Sequence, residues 1–306
     1  EMTISDEILK RTADSYRRIR NTLRFLLANT NDFNPTKDTV AADDLIALDR
    51  WIIAQALELQ NELRELFDTF QFHTAVQKIH HFCSEKLGGI YLDIVKDRQY
   101  TTQTDSLPRR SCQTAIYLVT EAMTRWITPI MSFTADEVWE NMPGEREELG
   151  TFTAEWFEGL SSYSHPSIEY GTWDKLILVR AEVTKTLETL RKDGKIGAGL
   201  DAEVNILADQ TLLDQLLVVE DELRFMLITS DATLSLLDES HASDSITIGE
   251  EGSHHKILIQ AQASEHAKCI RCWHHRPEVS ESEKHPELCG RCIDNIDGSG
   301  EKRQYA

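Results

Sequence analysis

Two Cys-x-x-Cys pairs near the carboxyl end constrain this chain more than any other feature of its sequence. Cys269 and Cys272 form the first pair, and Cys289 and Cys292 form the second after 16 intervening residues. Each pair presents two sulfurs from one tight turn, and two such turns complete a tetrahedral zinc site. Four thiolates leave no position for water, so we predict one structural Zn²⁺. The alternative is four free thiols, with one pair redox-active.

The residues around these cysteines bear on the same prediction. The tail contains few aliphatic side chains, so we expect the metal to be what folds it. We expect Gly290 to supply an unhindered backbone beside the third cysteine. His274, His275 and His285 are near enough to compete as ligands, but four cysteines already complete the site. Trp273 either packs on the zinc knuckle or offers a platform on which a nucleic-acid base stacks.

Hydrophobic periodicity predicts helices over most of the first 142 residues. Apolar residues recur every three or four positions, which is the spacing of one helix face. We predict helices over 6–28, 43–69, 72–95 and 108–130, with Gly88-Gly89 weakening or bending the third. Thr134 and Glu137 have the spacing of a capping box, which would open a short fifth helix. This part is therefore predicted to be an antiparallel helical bundle.

The pattern changes after the bundle. Residues 144–172 are irregular and contain several glycines, and we interpret them as a linker. A further helix is predicted from Trp173 to Lys192, followed by alternating segments typical of short strands. Those strands are predicted at 202–207, 245–248 and 256–260, with one or two short helices between the first two. The chain is predicted to be mainly α, with a helical domain at 1–143, the linker at 144–172, a small α+β junction domain at 173–262 and a zinc-ribbon-like domain at 263–306.

Charge is unevenly distributed along the chain. The net charge of −20 argues against generic nucleic-acid binding, and we expect no DNA partner. Between Lys10 and Arg24, however, six basic residues stand against one acidic residue. Lys10, Arg17, Arg20 and Arg24 share one stripe of the first helix, because seven residues make nearly two turns. Such a stripe suits a protein that grips RNA with part of its surface, and a solvated helix face is the alternative.

Several functional classes lack support in the sequence. No run of 18 apolar residues occurs, so we expect no transmembrane helix. The first residues do not have the pattern of a signal peptide, so we expect a cytoplasmic protein. We also expect it to be a monomer. Neither a phosphate-binding glycine loop nor a dinucleotide-binding fingerprint is present. We therefore predict that this chain is not catalytic by itself.

Four parts of the sequence resemble one known family in that family's order. Residues 6–29 closely resemble the helix that opens the anticodon-binding domain of bacterial isoleucyl-tRNA synthetases. Residues 109–116 and 128–139 resemble later helices of that domain, and residues 173–204 resemble the segment after it. The two cysteine pairs, with residues 300–306, resemble the family's zinc-binding C-terminus. Ile270 stands where many members have proline, which leaves the four cysteines intact.

The resemblance implies that this chain supplies tRNA recognition to a ligase that joins isoleucine to its tRNA using ATP. The family's catalytic signatures are absent, so ATP binding and editing would belong to domains that precede this chain. The basic stripe, Arg109 or Arg110, and Trp273 are the implied tRNA contacts. Adjacent residues of a helix point in different directions, so we expect at least one of the two arginines to be solvated or paired within the bundle. A valyl or leucyl relative and a non-enzymatic zinc-ribbon adaptor remain as alternatives.

Overall fold

The computed structural model describes residues 4–146, 148–163, 170–241, 243–249 and 253–306. Tertiary contacts divide the chain into two compact units, Glu1–Gln99 with Thr104–Pro166, and Tyr100–Gln103 with Ser167–Ala306. The first is helical, and the second combines helices, a four-stranded sheet and the four clustered cysteines. The predicted fold class is confirmed. Within the described residues, no helix has the length and apolar character needed to cross a membrane.

In the part of the first unit that the structure describes, six α-helices and one π-helix are joined by loops and short 3₁₀ turns. Ser5 begins the first helix, because its side chain accepts a hydrogen bond from the backbone N–H of Ile8. The predicted third helix continues beyond residue 95 as one long helical run. The elements are α1 (Asp6–Ala28), α2 (Ala47–Asp68), α3 (Phe72–His81), the π-helix (Phe82–Tyr91), α4 (Leu92–Thr101), α5 (Leu107–Ile127) and α6 (Ser132–Asn141).

The π-helix explains the Gly88-Gly89 pair. A Cβ atom at Gly88 would approach the carbonyl oxygen of Cys83, five residues earlier, to 2.9 Å. The corresponding distance for Gly89 is 3.2 Å, to the oxygen of Ser84. A π-turn bonds residues five apart, so it brings that carbonyl toward the position of the side chain. The two glycines therefore let the helix widen here into a π-helix.

A buried ion pair lies inside the helical core. The carboxylate of Asp49 on α2 accepts two hydrogen bonds of 2.8 Å from the guanidinium of Arg98 on α4. It also accepts hydrogen bonds from the hydroxyls of Tyr91, at 2.7 Å, and Ser111. Asp49 and Arg98 are almost completely buried. Because four donors satisfy the carboxylate, its charge is compensated where water cannot reach it.

The predicted linker and the predicted capping box both lie near the end of this unit. Residues 151–153 and 158–160 form short 3₁₀ turns within the predicted linker. This segment packs on the bundle, since the side-chain amide of Gln60 donates to the carbonyl of Phe157 at 2.9 Å. The predicted capping box is wrong, because α6 already begins at Ser132 and Thr134 lies inside it. The Thr134 hydroxyl instead shares a 3.2 Å hydrogen bond with Tyr16.

The second unit contains a four-stranded sheet in the order β2-β1-β4-β3. Strand β1 pairs in parallel with β2 and antiparallel with β4, and β4 pairs antiparallel with β3. Of these strands, β2 is the one that our sequence analysis does not predict, although its apolar residues alternate with polar ones. The elements are α7 (Tyr170–Lys192), β1 (Ala202–Ala208), α8 (Gln210–Leu216), α9 (Leu223–Leu227), β2 (Asp231–Leu236), β3 (Ile246–Ile248), β4 (His255–Ala263) and α10 (Gly290–Asp297).

A single buried carboxylate anchors the last residues of the chain. Glu222 accepts hydrogen bonds from the backbone N–H groups of Gln304, Tyr305 and Ala306, at 2.7–2.9 Å. Ala306 is correspondingly buried. Three backbone donors on one carboxylate fix the tail against the turn that precedes α9.

Candidate metal centre and nucleic-acid interface

The four cysteines predicted as metal ligands converge in the second unit. Their sulfur atoms all lie within 4.8 Å of one another, and all four side chains are buried. They form a small core with Val279 and Leu288. No other group of three or more potential metal ligands is found within the described parts of the chain.

Local backbone structure positions each pair of sulfurs. In the first knuckle, the N–H of Trp273 donates to the carbonyl of Cys269, and the N–H of Cys269 donates to the carbonyl of His274, both at 2.9 Å. In the second, Cys289 is the N-cap of α10, and Cys292 lies in its first turn. The second pair of sulfurs is therefore presented from the first turn of one helix.

The sulfur geometry fits zinc. Zinc–sulfur bonds of about 2.3 Å in a tetrahedron place sulfurs about 3.8 Å apart. The sulfurs of Cys272 and Cys289 are 3.6 Å apart. Hydrogen bonds within the cluster, chiefly with Cys269, lower the pKa of Cys272 and raise that of Cys292. Four negative thiolates at this separation need a cation between them, which a divalent metal supplies.

The three neighbouring histidines have different surroundings. His275 bonds the carbonyl of His266 at 2.7 Å through Nδ1, and His285 bonds the carboxylate of Asp297 at 2.8 Å through Nε2. His274 is buried with 2% of its surface exposed, and its ring packs edge-on against Phe225 at 5.5 Å. Sequence spacing alone could not separate these three environments.

Trp273 occupies an unusual backbone conformation for a large side chain. Its φ is 67°, in the left-handed region that favours glycine. It nevertheless remains 60% exposed, so the knuckle covers only part of the residue. Gly290, by contrast, has no positive φ, and a Cβ there would make an ordinary 3.6 Å contact. The residue of the knuckles with a glycine-like backbone conformation is therefore Trp273, and the expectation for Gly290 is wrong.

The basic stripe of α1 faces away from the buried side of that helix. Arg17 forms a 2.9 Å ion pair with Asp14, and Arg20 forms a two-pronged ion pair with Glu137 of α6, at 2.8 and 2.9 Å. Lys10 and Arg24 are exposed and form no ion pair with any residue in the described ranges. Counting only partners among the described residues, the stripe thus offers two unpaired cations and two that are partly neutralised.

A groove of about 540 Å³ lies between α1 and α6, beside the stripe. Its floor includes the apolar side chains of Leu23 and Val138, and its rim carries polar groups. The lining residues are Arg20, Leu23, Arg24, Leu27, Ala28, Asn31, Thr134, Glu137, Val138 and Asn141. Sequence reasoning did not find this groove, because its two walls are more than a hundred residues apart in the chain.

The two adjacent arginines of α5 both bond to the loop after α1. Arg109 forms a 2.9 Å ion pair with Asp32, and Arg110 donates to the Asp32 carbonyl at 3.2 Å and to the Asp105 carboxylate at 2.7 Å. Burial alone would raise the pKa of Asp32, but hydrogen bonds from Gln113 and Arg109 lower it. Pairing within the bundle is therefore confirmed for both arginines. Their long side chains converge on Asp32, which a simple argument from helix directions did not anticipate.

Comparison with known families gives this geometry its context. The model of the anticodon-binding domain of tRNA ligase matches residues 49–206, more than half of the chain. The chain belongs to this family. A second model, the zinc finger found in FPG and IleRS, matches residues 268–295, which include all four cysteines. The first match thus begins in α2 and extends through α7 into β1, whereas α1 precedes it, and the second match covers the metal centre.

Relatives with similar sequences extend beyond this chain. Isoleucine–tRNA ligase of Shewanella piezotolerans is 52% identical over 307 residues, covering 100% of this chain and 32% of the relative. Isoleucine–tRNA ligase of Psychromonas ingrahamii is 51% identical over the same length, with the same coverage. The chain therefore spans about a third of the length of the curated relatives it matches.

Proposed function

We propose that this chain is the tRNA-recognition part of an isoleucine–tRNA ligase. The observation that carries the proposal is the presence of both family matches in one chain, with relatives of that name aligned along its whole length. The alignment of the zinc-bearing tail favours an isoleucyl enzyme over a valyl or leucyl one. A zinc-ribbon adaptor would not need the anticodon-binding domain.

In this proposal the chain binds and orients tRNA, and the chemistry occurs elsewhere in the ligase. The complete enzyme would attach isoleucine to its tRNA using ATP. The sequence has no phosphate-binding loop, so ATP would bind to the part of the enzyme outside this chain. We further expect the protein to act in the cytoplasm as a monomer.

The basic stripe of α1 is our candidate for phosphate contacts in the helical unit. Lys10 and Arg24 would contribute most, because their charges are not shared with a neighbouring carboxylate within the described ranges. Arg17 and Arg20 would contribute less, since Asp14 and Glu137 partly neutralise them. Arg109 and Arg110 stay in the proposal as weaker candidates, because both are engaged with Asp32. Local contacts of this kind agree with a net charge of −20, which disfavours long-range attraction of RNA.

Bases would be recognised beside these phosphate contacts. Proteins read single-stranded RNA by splaying bases out, stacking them and bonding their edges. The groove next to Arg24 has an apolar floor and a polar rim, which suits an unstacked base. In the other unit, the exposed indole of Trp273 would stack on a second base.

The zinc would act structurally, held by Cys269, Cys272, Cys289 and Cys292. Their four sulfurs fill a tetrahedral shell, so no position remains for a reacting water. The metal would fix the knuckle that carries Trp273, and through it the position of the indole. Zinc would thereby support recognition without taking part in the ligation.

Binding to purified tRNAs tests the proposal. We expect the chain to bind isoleucine tRNA at least about tenfold more tightly than valine, leucine or methionine tRNA, a difference of about 1.4 kcal/mol. Tighter binding of valine or leucine tRNA would assign the chain to a related ligase. Equal and weak binding of all four tRNAs would contradict specific tRNA recognition and favour the zinc-ribbon adaptor.

A further inference from the structure

His274 is the one histidine beside the metal centre whose ring lacks polar partners. Among the described residues, neither of its ring nitrogens has a hydrogen-bond partner, although the side chain is 98% covered. Its neighbours in sequence and space differ, since His275 and His285 each bond an oxygen. An unsatisfied buried polar group costs about 1–3 kcal/mol, so such a group calls for an explanation.

The backbone of His274 is part of the first cysteine knuckle. Its carbonyl oxygen accepts a hydrogen bond from the N–H of Cys269, which closes the knuckle. Its edge packs on Phe225 with an interplanar angle of 72°. Phe225 is itself fixed, because the guanidinium of Arg303 lies 3.2 Å from the centre of its ring. The imidazole is therefore positioned by packing and not by a polar partner.

The negatively charged thiolates of the metal centre are acceptors for such a ring N–H. Four thiolates and one Zn²⁺ carry a net charge of −2 in a site from which the protein excludes water. Buried thiolates of this kind are stabilised by N–H donors in the surrounding shell. His274 stands two residues after Cys272, and its backbone carbonyl closes the knuckle that carries this cysteine, so Cys272 is the ligand nearest to it along the chain.

We propose that the ring N–H of His274 donates a hydrogen bond to the Cys272 thiolate of the zinc-bound centre. His274 is a positioning residue here and not a ligand, because the four sulfurs already form the complete shell. The inference rests on the proposed zinc site. It adds that the sequence Cys272-Trp273-His274 joins a metal ligand, an exposed indole and a buried donor in three consecutive residues. The hydrogen bond would stiffen the left-handed turn at Trp273 from its other side.

Two substitutions distinguish the loss of the N–H donor from the loss of side-chain volume. His274→Phe keeps an aromatic ring against Phe225 but has no donor, whereas His274→Asn is smaller and keeps an N–H. His285→Asn is the matched control, because His285 lies in the same module and bonds Asp297. A His274→Leu variant guards against a poor fit of the larger phenylalanine ring.

Zinc affinity and a cobalt spectrum measure the effect. In competition with a chromophoric chelator, we expect His274→Phe and His274→Leu to bind zinc about 10–100-fold more weakly. With Co²⁺ in place of zinc, their sulfur-to-metal charge-transfer band should move to lower energy, because the thiolate loses a donor. His274→Asn should recover most of both properties, and His285→Asn should match the wild type.

Three results would overturn the inference. Unchanged zinc affinity and an unchanged cobalt band in His274→Phe and His274→Leu would show that no hydrogen bond is made. Equal losses in all three His274 variants would show a role in packing alone. X-ray absorption showing a nitrogen bound to zinc in the wild type but not in His274→Leu would make His274 a ligand. Wild-type protein that binds neither metal would instead refute the zinc site itself, and this inference with it.

Discussion

Trp273 offers the sharpest separation of function from stability in this chain. Its left-handed backbone costs about 1–2 kcal/mol for an ordinary residue, and asparagine tolerates that conformation better. About two fifths of the residue is covered. For a side chain of about 250 Å², that is roughly 100 Å², or about 2.5 kcal/mol at ~25 cal/mol per Å². Relief of backbone strain offsets part of this loss, so Trp273→Asn should lower the free energy of unfolding by only about 1 kcal/mol.

The effect of the same substitution on RNA binding should be larger. Loss of one stacked base costs about 1–3 kcal/mol, which is about 5–150-fold in affinity. The salt dependence of binding should stay the same, because no phosphate contact is removed. The control is Ile270→Asn on the same knuckle, where a side chain of nearly equal exposure, 59%, is aliphatic and cannot stack. We expect that variant to bind tRNA like the wild type.

The assay combines three measurements on each variant. Urea unfolding followed by circular dichroism gives the stability, metal analysis gives the zinc content, and fluorescence polarisation at several salt concentrations gives tRNA affinity. Full tRNA affinity in Trp273→Asn would show that no base stacks on the indole. Loss of zinc from this variant would show instead that the indole is a packing element of the knuckle.

Three further predictions concern the stripe, the metal and the core. Arg24→Ala should weaken tRNA binding and reduce the slope of log affinity against log salt by about 0.7. Arg20→Ala should reduce that slope less, because Glu137 already shares the charge of Arg20. Equal slopes for both variants and the wild type would show that the stripe is only a solvated helix face. Metal analysis of protein purified without added zinc should find about one equivalent. Chelation should unfold the zinc module while the helical circular dichroism of α1–α6 persists. A tail that stays folded without metal would refute the structural role of zinc. Asp49→Ala should lower the free energy of unfolding by about 3–5 kcal/mol in urea titrations, because it leaves the Arg98 charge buried and unpaired; a loss under about 1 kcal/mol would contradict that account.

Features set by neighbouring residues could be predicted from the sequence. The four cysteines meet because each pair needs only one turn, and their spacing alone predicts the cluster. Helices α1 and α5 follow a strong period in apolar residues, and their bounds lie close to the predicted ones. The sequence does not decide whether Trp273 packs on the knuckle or is exposed, because its left-handed backbone conformation has no local sequence signal.

Features that depend on distant contacts could not be predicted. Strand β2 is a different case, because Ala232, Leu234 and Leu236 alternate with polar residues and a strand could have been predicted there. Its parallel pairing with β1 is the part that no local pattern shows. The π-helix depends on how residues 82–91 pack, and a glycine pair by itself indicates only a weak helix. The partial neutralisation of Arg20 and the groove beside it require α6 to lie next to α1, a contact that no local pattern encodes.

The central claim is that this chain recognises the anticodon of isoleucine tRNA. The most direct measurement is its affinity for a synthetic anticodon stem-loop of that tRNA, compared with a stem-loop of identical stem whose anticodon bases are replaced. Each lost base contact costs about 1–3 kcal/mol, so we predict about tenfold weaker binding or more for the replaced loop. Equal affinity for the two stem-loops would contradict the account, because the chain would then bind RNA without reading its anticodon.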